Sequence, residues 1–568
     1  VRFNQEDGQS KDIKPLPGEG EPEYRFNWNS PIHLSPTNPE RMYFGAQFLF
    51  KTENRGDSWE KISPDLTTND PQRQRQKQSG GLSIDNSTAE NNATIYAIGE
   101  SPVAERTVWV GTDDGLLQVT SDGGKTWTNV TGNIPGLPAG LWCSSVEPGH
   151  FDARTCYVTF DGHRSGDKGV YVYKTEDLGQ TWRSVTTMEV EGYAHVLRED
   201  LVRPGLLYLG TEFGLYVTLD DGSSWRRFDN NLPRVGVRAL AIHPRDHALV
   251  VGTHGRGIYL LDDLRLLRQI DAGMLEEDLH FFATGPTYLT LSRGGTPFGG
   301  AGQFAGENPR DAARIAYYLR KRHTFGKMAI EVYDESGQLI RELPAGKSAG
   351  INVVELSTRL PMPKAAPTMN RTALFGSILP PTLPEGRYTV KVVKGKAEFS
   401  TAFDLQFDPK AAERYPADDR KLAHRTQMRL YDMTNQLGYI YYSLEEMHQQ
   451  AAENREGLSK KLTASMDAFE KETRQYKESL VSLEGDFYVH EGSNLREEIS
   501  NLFLGISQYP GRPSEGQLTK TDLLEEQLGA VQAKFEAYRT QMEQLNERLA
   551  KEGRGPMKVR TLEEYLEQ

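Results

Sequence analysis

Two cysteines in 568 residues, Cys143 and Cys156, are too few for a disulfide-dense scaffold or a cysteine-cluster zinc site. Both fall in one repeat, on either side of the turn-rich stretch 147–152, where they could lie on neighbouring strands. A disulfide and two reduced, buried thiols are both open readings; an approach of the Cα atoms to within about 7 Å decides between them. Long hydrophobic runs are lacking too, and none nears the roughly 18–20 apolar residues of a membrane span. Positive charge is in deficit: 66 Lys and Arg stand against 79 Asp and Glu, a net charge of −13. That balance argues against a general nucleic-acid binder, which carries a concentrated basic footprint. The Gly-rich run Gly294 to Gly306 lacks the Gly-Lys-Ser/Thr ending of a phosphate loop. The chain opens on Val1 with a polar, Gly- and Pro-bearing stretch and no signal peptide, so a start inside a longer precursor is expected.

What is present is a repeat. Four segments read Thr-x-(Asp/Asn)-x-Gly-x-(Ser/Thr)-Trp, beginning at Thr52, Thr120, Thr175 and Thr218. Their tryptophans, Trp59, Trp127, Trp182 and Trp225, lie 68, 55 and 43 residues apart, close to the length of a four-stranded propeller blade. A strand precedes each box, and before it a strand ends at Gly-Thr in 111–112, 210–211 and 252–253. A fifth copy, ending at Asp262, carries no box. The box chemistry is structural: Asn54, Asp122, Asp177 and Asp220 accept backbone N–H bonds, the Gly takes a positive φ, and the Trp packs between strands.

On these residues the chain resembles the Asp-box (BNR) propeller proteins, and within them large secreted bacterial proteins labelled sortilin-like or BNR-repeat glycosyl hydrolase. Trp109-Val110-Gly111-Thr112-Asp113-Asp114-Gly115, Phe160-Asp161-Gly162-His163-Arg164 and Gly252-Thr253-His254-Gly255-Arg256-Gly257 support the likeness. It covers roughly residues 24–410, more weakly the C-terminal helices. The resemblance implies an exported protein, extracellular, cell-surface or periplasmic, with further blades upstream; it implies no established catalytic residues.

In a four-stranded meander, turns between the second and third strands project from the end opposite the boxes. Those turns carry Asp113, Asp114, Asp161, His163, Arg164, Glu212, His254 and Arg256, the candidate ligand-binding set. Short charged turns are also good solvated turn chemistry. No cofactor or metal is expected, although carboxylates mixed with His suit a structural divalent cation such as calcium. A glycoside hydrolase needs two placed carboxylates, which Asp161 with Glu212 or Asp114 could supply. The Phe/Tyr-Arg-Ile-Pro motif of sialidases is absent, and Tyr24-Arg25-Phe26-Asn27 is a partial echo of it.

The expected architecture is multidomain and mainly β. A connecting segment (1–32) leads to about five propeller blades (33–270), an immunoglobulin- or fibronectin-like β-sandwich (276–410) and an antiparallel α-helical bundle (411–568). Strand-like runs at 314–319, 328–333, 351–356 and 386–393 define the sandwich, with a hairpin turn at Asp334–Gly337. Apolar residues at helical spacing, such as Leu430, Met433, Leu437, Ile440, Leu444 and Met447, define the bundle. The first function expected is a non-catalytic binding or scaffold protein. Its propeller would recognise a protein or glycan, in assembly with other subunits or an upstream fragment of the same precursor. The alternative is a BNR-type glycoside hydrolase acting on an extracellular polysaccharide.

Overall fold

The computed structural model describes residues 1–75, 78, 91–291, 311–368, 380–483 and 494–567. Gly294 to Gly306 therefore lies outside the described residues. The chain forms two compact units, Val1–Ala272 and Gly273–Gln568.

The first unit is a β-propeller of five successive antiparallel meanders. Blade 1 comprises Ile32–Leu34, Met42–Gly45, Leu49–Thr52 and Glu60–Lys61. Blade 2 comprises Ile95–Glu100, Val108–Thr112, Leu117–Thr120 and Thr128–Asn129. Blade 3 holds Trp142–Pro148, Cys156–Asp161, Tyr171–Thr175 and Arg183–Ser184; blade 4 holds Ala194–Glu199, Leu207–Thr211, Gly214–Thr218 and Arg226–Arg227. Blade 5 has three strands, Val237–His243, Ala248–Thr253 and Ile258–Leu261. A blade packed on both faces buries both sets of side chains, so strand alternation disappears: every residue of Val108–Thr112 is buried. Four apolar cores fill the gaps between successive blades, such as Trp109 and Leu117 against Cys143 and Phe160, or Tyr208 and Leu215 against Val237 and Leu249. In Ile258–Leu261 the alternation returns, because no further blade of this unit packs on that face among the described residues.

The repeated turn is a clasp. In each copy the Thr hydroxyl bonds the Asn or Asp side chain at 2.7–2.8 Å, and the Gly N–H donates to that hydroxyl. The Ser or Thr N–H then donates to the Asn or Asp oxygen. These bonds hold the Asp122 and Asp177 carboxyls down at about 2, the Thr126 and Thr181 bonds being the largest cause. The glycines Gly56, Gly124, Gly179 and Gly222 have φ between +85° and +98°. A Cβ on them would strike Ile13, Ile62, Val130 and Val185, one residue in each preceding segment. Trp127 and Trp225 donate from Nε1 to Ile62 O and Val185 O, across the blade boundary; Trp59 does so to Ile13 O. Trp182 departs from the pattern and donates to Gly179 O in its own turn.

Residues 1–32 hold a small hairpin, Arg2–Phe3 with Ser10–Lys11. Ile13 thus meets blade 1 as Ile62 meets blade 2, and Tyr24 and Phe26 pack on Phe50 and Phe44. Of the two readings for the cysteines, the free thiols hold. Cys143 lies opposite Phe160 and Cys156 opposite Pro148, at different levels of the same strand pair. Burial pushes both thiols up, that of Cys156 well above its ordinary value.

The second unit begins with two sheets sharing one core. Leu279–Phe281, Ala312–Leu319 and Gly350–Ser357 form one sheet. Thr287–Leu289, Ala397–Phe407, Gly386–Lys394, Met328–Tyr333 and Leu339–Pro344 form the other. Tyr317 and Leu356 meet Ile330, Val390 and Leu405 between them. Asp334 shapes the expected hairpin turn by accepting the Ser336 and Gln338 N–H groups. Helices Ala417–Glu453, Lys460–Glu478, Leu495–Ser507 and Glu515–Lys551 then bury their apolar stripes on one another: Leu430, Leu437 and Leu444 meet Phe469, Phe503, Leu528 and Phe535. Ser514 opens the last long helix with a capping box closed by Gln517. Among the described residues, no helix is long and apolar enough to cross a membrane.

Candidate functional site

Each inner strand of blades 2 to 5 carries a register shift that leaves one residue unpaired: Tyr96, Ser144, His195 and Arg238. A bulge re-aims its side chain out of the alternating pattern, which is why bulges gather at sites. These residues stand at the same end of the strands as the turns that follow the second strands, so bulges and turns build one surface.

His195 is its centre. Its Nε2 lies 2.9 Å from Glu212 Oε2, and its Nδ1 lies 3.3 Å from Arg238 Nη1 and 3.8 Å from Asp161 Oδ2. Arg238 also donates to Glu212 at 3.2 Å. An Nδ1 facing a guanidinium must accept, so the proton belongs on Nε2, directed at Glu212. Burial lowers the His195 pKa, outweighing its carboxylate neighbours, and keeps the ring neutral near pH 7. Burial alone would raise Asp161, but the bonds from His163 N at 2.9 Å and His163 Nδ1 at 2.7 Å prevail, and the carboxyl is held down. Glu212 behaves likewise: burial raises it, while His195 and Arg238 bring it below its usual range.

Aromatic rings continue the surface. His163 stacks on Tyr193 with centroids 4.7 Å apart, and Tyr193 meets His195 edge-on at 5.0 Å. The Arg164 guanidinium lies 3.6 Å over the Trp142 ring, and Trp142 meets Tyr96 at 5.1 Å.

Of the eight residues expected at this face, Asp161, His163, Arg164 and Glu212 take part in it. Asp113 and Asp114 turn inward. Asp113 is fully buried and accepts from Thr94 N, Thr94 Oγ1 and Asn27 Nδ2; burial pushes its carboxyl up to about 7. Asp114 accepts from Thr68 N, Thr68 Oγ1 and Thr112 Oγ1, tying blade 2 to the end of blade 1. His254 and Arg256 are exposed on blade 5. Sequence reasoning missed Trp142, Tyr193, His195 and Arg238. Their one signal is an aromatic or charged residue at the head of an inner strand.

At the other end of the inner strands, a cavity of about 310 Å³ is lined by His33, Glu147, His150, Arg198 and Glu199. Its polar groups are turned on one another: Glu147 accepts from Arg198 at 3.0 Å and pairs with His150 at 3.1 Å. Among the described residues, no group of three or more His, Cys, Asp or Glu has the geometry to hold a metal ion.

No protein-family model matches the chain. A curated relative, the oligoxyloglucan-reducing end-specific xyloglucanase of Emericella nidulans, is 30% identical over 164 residues. The match covers 26% of this chain and 19% of that enzyme, so the chain spans about a fifth of the relative's length. Among solved structures, the GH74 xyloglucanase of Xanthomonas campestris is 20% identical over 41% of this chain and 36% of its own, with a TM-score of 0.32. YCF48 from Cyanidioschyzon merolae is 16% identical over 29% of this chain and 52% of its own, with a TM-score of 0.23. The propeller is defined by its own repeated sheets, independently of these partial overlays.

Proposed function

We propose that this chain is an exported, carbohydrate-active propeller protein of the Asp-box (BNR) type, and we place the glycoside hydrolase reading ahead of the non-catalytic scaffold. The observation that carries it is the placement of Asp161 and Glu212 on either side of His195, beside the rings of Tyr193, His163 and Trp142. The xyloglucanase relative adds support and makes xyloglucan the first substrate to try. For a glycosidic bond to lie between these two carboxylates, the His195 ring must swing out of the gap it fills between them. In this reading Glu212 is the base that takes a proton from the attacking water. Asp161 is the acid that protonates the departing glycosidic oxygen. A sugar that displaces the His163 ring would remove the side-chain bond holding this carboxyl down and so shift it toward its acid form. The two-sheet module of the second unit serves as an immunoglobulin-like spacer, and no cofactor is required.

One observation favours the second reading: without ligand both carboxyls are held below their usual range, and neither is poised as an acid. The same aromatic face would then hold a glycan without cutting it. Reducing-sugar release from xyloglucan, measured beside affinity electrophoresis on the same polymer, separates the two. Cleavage that is lost in Asp161→Asn and Glu212→Gln, with binding retained, supports the hydrolase. Binding without cleavage supports the glycan-binding scaffold, and neither activity on any β-glucan would overturn both assignments of this face.

A further inference from the structure

The second unit holds a cavity of about 630 Å³, inside the roughly 300–1,000 Å³ range of small-molecule sites. It lies where the two-sheet module meets the first long helix, Ala417–Glu453, and the end of Leu495–Ser507. Three polar side chains brace its walls. Arg420 donates to both Glu385 oxygens at 2.7 Å, with its guanidinium 4.4 Å over the Phe407 ring. One turn on, His424 Nε2 donates to Thr382 O at 2.9 Å. Arg359 donates to Asp311 at 3.1 Å and to Pro380 O at 3.4 Å. The walls are therefore held by the protein's own contacts, with no ligand needed to shape them.

The rest of the lining has two unlike parts. One is apolar and includes Leu289, Leu291 and Leu383. The other is cationic. Lys421 and Arg425 stand one helical turn apart, both exposed, and neither has a carboxylate partner among the described residues. Like charges at this spacing repel, and an anion between them would remove that cost. The lining as a whole sets Arg359, Arg420, Lys421 and Arg425 against one carboxylate, Glu385. That balance runs against the chain, whose net charge is −13.

Ser507 supplies an independent sign. It lies in the same wall, and its Oγ is buried with no hydrogen-bond partner among the described residues. Buried polar atoms are nearly always satisfied, so an exception beside a cavity marks a place that a bound molecule completes.

We propose that this cavity binds an amphipathic carboxylate, a small organic acid with an apolar body, so that the second unit is a ligand-binding module as well as a spacer. The Arg425 guanidinium and the Lys421 ammonium take the carboxylate, the planar fork of the former matching its two oxygens. Leu289, Leu291 and Leu383 take the body, whose transfer out of water supplies most of the affinity.

Isothermal titration calorimetry of the full chain with decanoate tests this. The expected result is saturable binding of one decanoate per chain, with decanol and decylammonium both much weaker. Acetate, which has the head group without the body, should not compete. Lys421→Gln with Arg425→Gln should weaken decanoate by about tenfold or more, the loss of two charge-assisted contacts. Both side chains are exposed and without carboxylate partners, so the melting curve by circular dichroism should not move. A wild-type chain that shows no saturable decanoate binding would overturn the proposal. Equal affinity in the double variant would overturn it as well, because the acid would then sit elsewhere on the chain. Decanol bound as tightly as decanoate would overturn the role given to the two cations.

Discussion

Two glycines at equivalent register positions of blades 4 and 5 make a sharp prediction. Gly210 and Gly252 both precede a Thr at the end of a second strand, yet among the described residues of the propeller unit only Gly210 has the head of a following inner strand upon it. Alanine at either position gains about 0.4–1 kcal/mol by restricting the unfolded chain. At Gly210 the new methyl would sit 2.6 Å from Val237 O and 2.7 Å from Val237 Cγ1, and a backbone carbonyl within a paired strand cannot step aside. Overpacking of this kind costs up to about 3 kcal/mol, so Gly210→Ala should lose about 2 kcal/mol net. At Gly252 the nearest atom is the Ala239 Cβ at 3.3 Å, which yields by a few tenths of an ångström, and the net change should stay within about 0.5 kcal/mol. At about 2.1 cal/mol/K of unfolding entropy per residue, a unit spanning Val1–Ala272 turns 2 kcal/mol into a drop of about 3–4 °C. Scanning calorimetry of the dilute full chain measures the propeller transition. Hydrogen exchange at Val237–His243 assigns that transition to the propeller. Blade 3 carries Thr159 at the equivalent position, so the demand is local to the seated residue; equal effects at the two glycines would refute the claim that contact with Val237 is what sets it at Gly210.

Further outcomes follow from the same contacts. Trp225 is 1% exposed and donates to Val185 O, so Trp225→Ala should cost about 3–5 kcal/mol in denaturant unfolding, and Trp225→Phe well under half of that. The half-buried Trp59 should lose less when changed to Ala. Asp113, raised by burial to about 7, keeps its proton in the folded state after the unfolded chain has lost it near 3.8. Its contribution is therefore full below that lower value and falls as pH rises toward 7; Asp113→Asn should remove this part of the pH slope of stability. The His195 ring should titrate below its ordinary 6.5 by NMR, and a midpoint at or above that value would contradict a neutral ring held by Arg238. Cys143 and Cys156 should resist alkylating reagents in the folded chain and react together on unfolding, with no disulfide found by mass spectrometry.

The sequence announced the blades because a four-residue constellation repeated with a tryptophan is needed wherever one blade clasps the one before it. It also announced that blade 5 lacks the clasp. The helical bundle was legible for a similar reason: Leu430, Leu437 and Leu444 follow one stripe from end to end. The site was legible only by half. Turn position nominates Asp113 and Glu212 equally, but what separates them is partners distant in sequence. Thr94 and Asn27 consume Asp113, while His195 and Arg238 arrange Glu212 beside a surface. The bulged residues were hidden because a one-residue register shift leaves the apolar pattern of a strand almost unchanged. Thus Ala194-His195-Val196 reads as ordinary alternation although His195 stands outside the ladder.

The repeat also explains why chemistry gathers where it does. At the clasp end each turn is committed to its predecessor: side-chain oxygens saturate the local N–H groups, the glycine carries the neighbour's Ile or Val, and the indole N–H is spent on a carbonyl. Any change there is paid in blade stacking, so those positions cannot vary toward a ligand. At the opposite end, the bulge frees one side chain per blade from the ladder while the strands on either side keep their register. Tyr96, Ser144, His195 and Arg238 occupy equivalent positions and share no chemistry, whereas the three clasp aspartates and the one asparagine make the same bonds. The uniform end is thus given over to blade stacking, and the divergent end is the one left for the proposed site.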